Sequence, residues 1–186
     1  MGSIHLATGP MFSGKTTWLI DNLQKSNANE TIAIKYFLDN RYAIDNIKTH
    51  DGKSIKAKNA KNESDILKLL KENPHIKILG IDEIHFFNPT ISKFLNELKN
   101  KNLTIYTVGL NIDYKNREWE TVIKVSEIAD SKKLFKAICS TCGKRNATKI
   151  HRKTADKKRV LIGGADMYES LCEIDYFKLP LPESNL

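Results

Sequence analysis

Gly9-Pro10-Met11-Phe12-Ser13-Gly14-Lys15-Thr16 is the stretch from which the rest of the chain can be read. It fits G-x-x-x-x-G-K-[ST], a pattern that carries meaning only between a strand and a helix. Both flanks are present: residues 4–8 are a short β-prone run, and residues 14–26 read as a helix. In such a unit the backbone from Gly9 through Thr17, which offers an N–H donor at every position except Pro10, closes on phosphate oxygens, and the helix N-terminus adds positive potential. Lys15 reaches the β and γ phosphates, and the Thr16 hydroxyl takes a Mg²⁺ ion.

Outward from this loop the pattern alternates. A β-branched run covers residues 31–37, and ESDILKLLKEN then places Ile66, Leu67 and Leu70 on one helical face up to Pro74. Residues 76–83, IKILGIDE, are a nearly continuous apolar run closed by two carboxylates, the profile of a strand buried on both faces of a parallel sheet. SKFLNELKN turns Phe94, Leu95 and Leu98 inward, and LTIYTVGL over residues 103–110 is a fourth strand. Strands alternating with helices predict a P-loop, RecA-like parallel sheet flanked by helices. Asp82 falls where a P-loop protein holds its metal, and Glu83 is placed either to take a proton from an attacking hydroxyl or to sit exposed in a loop.

The pattern changes near Ala137. From Cys139 onward there is C-S-T-C-G, two β-like pieces around ATKIHRK and RVLIGG, and a last cysteine at Cys172, which predicts residues 1–137 as the nucleotide-binding domain and 138–186 as a small appendage. Cys139 and Cys142 have the spacing of half a zinc site. The second half reads Cys172-Glu173-Ile174-Asp175, so Asp175, His151 or a water is the fourth ligand, unless the three cysteines are simply reduced thiols.

Composition narrows the class. A chain of 186 residues suits one main domain, and none of its apolar runs has the length of a membrane helix, so a soluble, cytoplasmic protein without a membrane partner is expected. The net charge of +8 is spread over scattered lysines rather than a basic and aromatic face, and no direct nucleic-acid partner is expected.

GPMFSGKTT, KYFLDNRY, THDG, GIDEIHFF and IGGADMYESLC, in this order over nearly the whole chain, closely resemble the zinc-containing (type II) thymidine kinases. The resemblance implies ATP- and Mg²⁺-dependent phosphorylation of the 5′-hydroxyl of thymidine and deoxyuridine. It implies Glu83 as general base and Arg41 as the cation on the transferring phosphoryl group. It places Phe86 and Tyr114 beside the nucleoside, and Met11, Leu110, Thr148 and Tyr168 around the thymine methyl. Ile162, Gly163 and Gly164 then belong to a lasso loop, residues 148–171, that reads the base and is tied at its ends by a structural Zn²⁺. A homotetramer inhibited by thymidine triphosphate is implied as well. The chain departs from the family pattern at Asp175 for Cys or His, Asn111 for aspartate, Tyr114 for phenylalanine with the residue after it also altered, and His85 for glutamine, the last read as a structural residue.

Two other readings meet obstacles. A monophosphate kinase clamps its acceptor phosphate with several arginines, whereas only Arg41 of the five here has a motif context. A zinc-ribbon ATPase working on nucleic acid accounts for neither the incomplete cysteine set nor the second carboxylate.

Overall fold

The computed structural model describes residues 1–38, 45–49 and 52–179. In chain order its strands are β1 (Ser3–Thr8), β2 (Thr31–Tyr36), β3 (Asn46–Lys48), β4 (Ser54–Lys56), β5 (Lys58–Ala60), β6 (Ile78–Ile81), β7 (Thr104–Gly109), β8 (Ser131–Leu134), β9 (Lys149–Arg152) and β10 (Tyr168–Leu171). The helices are α1 (Lys15–Gln24), α2 (Glu63–Glu72), α3 (Ile91–Asn100), α4 (Glu120–Ile128) and the short α5 (Glu173–Tyr176).

Six strands form one sheet in the order β5-β2-β6-β7-β1-β8, and every pairing within it is parallel. The P-loop strand β1 and the acidic strand β6 are therefore separated by β7. This is the expected RecA-like arrangement, and it brings the C-terminal ends of β1 and β6 out on the same sheet edge, where ligands of open α/β sheets bind. Both faces are covered. On one, Ile66, Ile91, Leu95, Leu98, Val122 and Val125 from α2, α3 and α4 pack on Ile4, Leu6, Ile34, Leu79, Ile81 and Ile105. On the other, Leu19, Ile20 and Leu23 of α1 meet Ala7, Ala33 and Val108, with Ile47 and Ala57 beside them. Each such aliphatic side chain contributes about 1.5–3 kcal/mol by leaving water. Gly80 lets α1 approach β6, since a methyl there would lie 2.4 Å from Leu23 Cδ1.

Several local expectations are corrected. In α2 the residues packed on the core are Ile66, Leu69 and Leu70 rather than Leu67, because the i, i+3, i+4 row faces the sheet and Leu67 lies one residue off it. The sequence reading passed over α4, edge strand β8 and the antiparallel pair β3–β4. RVLIGG is not a strand: β9 pairs antiparallel with β10, and residues 153–167 form the connection between them. A third, smaller cluster gathers Ala137, Cys139, Ala147, Leu171 and Cys172, with Tyr176 and Leu179 against it.

Candidate active site and metal centre

The phosphate loop owes its shape to backbone conformations that its residues favour or tolerate. Gly9 (φ 150°) passes so close to Phe135 that an added methyl would lie 2.4 Å from its carbonyl oxygen. Gly14 caps α1 in the left-handed region, a cheap conformation only for glycine. Lys15 is buried and folds back over the loop, its Nζ donating to the Pro10 carbonyl at 2.5 Å and to Ser13 Oγ at 3.3 Å. Thr16 and Thr17 follow in the first turn of α1.

The two carboxylates follow β6 directly. Asp82 is buried and accepts the Glu83 N–H on Oδ1 at 3.0 Å. Glu83 has φ 53° and ψ 45°, a left-handed conformation that is strained for a side chain of this kind and turns the chain sharply after Asp82. Its Oε2 lies 3.5 Å from Nδ1 of buried His85, which accepts the Leu110 N–H at 3.2 Å. His85 thus stands between the carboxylate and the end of β7. Arg41 lies outside the described residues.

Beside Glu83 opens a mainly apolar pocket. The structure brings Met11, Phe86, Leu110, Tyr114, Ile162, Gly163 and Tyr168 together around it with Glu83. Thr148 and Gly164 are not among its lining residues: the Thr148 N–H pairs with the Leu171 carbonyl, and the Gly164 carbonyl closes a turn with Met167 and Tyr168. His85, Asp113, Trp119, Ile150, Arg152, Arg159, Val160 and Leu161 complete the wall; the last five fall within the expected lasso of residues 148–171, but none of the eight was singled out in the sequence as a nucleoside contact. The one available signal was indirect. Arg152 immediately precedes, and Arg159 lies within, a long polar connection of the kind that forms lids.

That connection, residues 153–167, is held by polar contacts. Tyr114 donates its hydroxyl to the Lys157 carbonyl at 3.0 Å. Arg159 pairs through Nε with Asp113 Oδ2 at 3.0 Å, donates from Nη2 to the Glu118 carbonyl and lies over the Trp119 ring at 4.3 Å. Asp113 is buried and also pairs with Arg117 at 2.9 Å, so one carboxylate serves two guanidinium groups. Tyr168 donates to the Leu161 carbonyl at 2.6 Å. Burial pushes its phenol pKa up, against the pull of Arg152, which keeps that proton in place. Ser170, on the returning strand, donates to the Met11 carbonyl at 2.6 Å and so joins β10 to the phosphate loop.

Cys139, Cys142, Cys172 and Asp175 each offer a ligand atom, all within 4.8 Å of one another. Asp175 Oδ2 is 3.2 Å from Cys172 Sγ and 3.3 Å from Cys139 Sγ, and Cys142 and Cys172 are 4.0 Å apart. Such spacings fit four donors around one tetrahedral ion with bonds of about 2.0–2.3 Å. Hydrogen bonds from the Cys172 and Cys139 thiols hold the Asp175 carboxyl down at about 2. The Asp175 N–H favours the Cys172 thiolate, but burial and thiol hydrogen bonds to Asp175, Cys139 and Cys142 outweigh it and push this thiol up to about 11. Burial opposes ionisation of Cys139 too, yet backbone N–H groups of Cys142, Cys172 and Thr141 bring it below its usual value. Lys178 sits 3.3 Å from Asp175 Oδ1, on the oxygen turned away from the thiols. His151 does not join the cluster; it pairs with Glu169 at 2.7 Å on the adjacent strand.

The family model described as "Thymidine kinase" matches residues 2–176. The chain is 32% identical over 180 residues to a thymidine kinase of Pseudothermotoga lettingae, covering 96% of each. It is 33% identical to a thymidine kinase of Oryza sativa subsp. japonica, covering 94% of this chain and 66% of that one. Among solved structures, the Pif1 helicase from Candida albicans superposes with a TM-score of 0.41 at 13% identity over 72% of this chain and 35% of that one, too slight a likeness to bear on function.

Proposed function

The chain belongs to the thymidine kinase family, and from that premise we propose how its residues divide the transfer of the ATP γ-phosphoryl group to the 5′-hydroxyl of thymidine. One observation carries the reading. Glu83, Met11 of the phosphate loop and the Ile162-Gly163 stretch converge on one pocket. A nucleoside in that pocket has its base under the lid and its ribose toward the sheet edge.

Residues 9–17 cradle the triphosphate, and Lys15 exchanges its internal contact with Pro10 for the β and γ phosphates. Thr16 and the buried Asp82 form an oxygen-only donor set that suits Mg²⁺, whose charge would neutralise that developing on the phosphates. Glu83 takes the proton of the 5′-hydroxyl as that oxygen attacks phosphorus, and Arg41 steadies the equatorial oxygens. Phe86 and Tyr114 flank the nucleoside, while Met11, Leu110 and Tyr168 close around the thymine methyl; Thr148, which does not line the pocket, is not one of this set. Such an apolar pocket discriminates a methyl group by about 1–3 kcal/mol, so deoxyuridine is expected as a second substrate.

The three cysteines with Asp175, a mixed thiolate and carboxylate donor set that leaves no open position, would hold a structural Zn²⁺. Residues 138–186 then act as one metal-pinned unit on a P-loop domain of residues 1–137. Homotetramer formation and inhibition by thymidine triphosphate complete the proposal on family resemblance. The test is ATP- and Mg²⁺-dependent formation of 5′-monophosphate from a nucleoside panel, beside Glu83→Gln. Turnover of thymidine and deoxyuridine that collapses in the variant supports the assignment. A variant that keeps more than about a tenth of the rate removes Glu83 as the base.

A further inference from the structure

Arg152 and Tyr168 are the last paired residues of β9 and β10, so the connection leaves the hairpin at one and re-enters at the other. The Arg152 guanidinium turns under its own loop. Nη1 donates to the Asp156 carbonyl at 2.9 Å and the Lys158 carbonyl at 2.5 Å, and Nη2 to the Arg159 carbonyl at 3.2 Å and the Tyr168 hydroxyl at 2.8 Å. Its Cζ lies 3.7 Å from the Tyr114 ring centroid and 5.2 Å from that of Tyr168. With 6% of its surface exposed, it does so out of reach of most solvent. No carboxylate appears among these partners. This cation is spent on backbone carbonyls of a segment that has no strand or helix of its own.

Charge-assisted hydrogen bonds in a dry setting are stronger than neutral ones, and a planar fork can hold several acceptors at fixed angles where an ammonium cannot. We infer that Arg152 is a positioning residue for the kinase reaction: it templates residues 156–159 over the pocket and presses Tyr114 into place, so it governs nucleoside capture without touching the phosphates. This rests on the reading that the nucleoside occupies the pocket beside Glu83.

The experiment compares wild type with Arg152→Lys, which keeps the charge and loses the fork, and with Arg152→Ala. Thymidine KM should rise by about tenfold or more in both, with ATP KM unchanged and metal content equal to wild type. Trypsin should cut the variants at Lys157 or Lys158 under conditions that leave wild type intact, a readout that does not depend on turnover. Wild-type thymidine KM in Arg152→Lys overturns the inference, as does unaltered resistance of the loop to trypsin. A parallel rise in ATP KM also overturns it, since the residue would then support the whole fold. A Leu110→Trp variant, with its pocket blocked, that still turns over thymidine normally would instead sink the placement of the nucleoside.

Discussion

The phosphate loop and the connection at 153–167 both face the same pocket, yet they are held by opposite means. The first joins a buried strand to a buried helix, with Ile4, Leu6 and Ala7 before it and Leu19, Ile20 and Leu23 after it, so its shape follows from glycine conformations and core packing on either side. The second joins two short strands, and most of residues 153–160 are exposed. Its order comes from polar and ring contacts rather than from a core: Arg152, Tyr114 and the Asp113–Arg159 pair. A loop fixed by its neighbours loses function when its own residues change. A loop fixed by pins loses function when the pins are pulled.

Each variant should therefore act on one side of this divide. The largest effect is expected on the phosphate side: Lys15→Ala should lower kcat by about 10²–10³, measured by steady-state turnover, with thymidine affinity nearly intact. Stripping the metal with a chelator should do the reverse, raising thymidine KM by about 10-fold or more while ATP affinity, measured by calorimetry, holds. Equal losses in both affinities would erase the distinction.

Zinc affinity should follow pH in a set direction. The Cys172 thiol lies at about 11 in the metal-free protein, so binding near neutrality expels its proton. Affinity should rise by up to about tenfold per pH unit for each proton released, read by competition against a chromophoric chelator. A flat profile would mean that Cys172 does not ligate as a thiolate.

Asp113→Asn removes the charge shared by Arg117 and Arg159 and should raise thymidine KM severalfold, with loss of loop protection in hydrogen exchange. The smallest effect belongs to Tyr114→Phe. It deletes one hydrogen bond to the Lys157 carbonyl, about 0.5–1.5 kcal/mol, which predicts a few-fold change in the same constant.

This contrast also sets what can be read from residue order. The phosphate loop, the strands of residues 76–83 and 103–110 and the acidic pair are local patterns, and the sheet keeps them where the pattern puts them. The cysteine set was legible by spacing; of the two candidates for its fourth member, Asp175 lies with the cysteines and His151 is engaged by Glu169. Arg152 was not legible. Its partners are carbonyl oxygens, which no side-chain pattern announces, and they reach it only because the chain doubles back. Edge strand β8 escaped notice because SKKL, fully exposed, lacks the apolar content that marks a strand. RVLIGG misled for the converse reason: its apolar residues serve a pocket wall rather than a sheet.

The hydrogen bond from Ser170 to the Met11 carbonyl spans 159 positions of chain and ties the hairpin that carries the connection to the phosphate loop. Free energy passed through such a joint has no preferred direction. If ATP on the phosphate loop tightens the grip on thymidine by some factor, thymidine must tighten the grip on ATP by the same factor, and Ser170→Ala should diminish both factors alike. The order in which the substrates arrive then becomes a matter of rates alone.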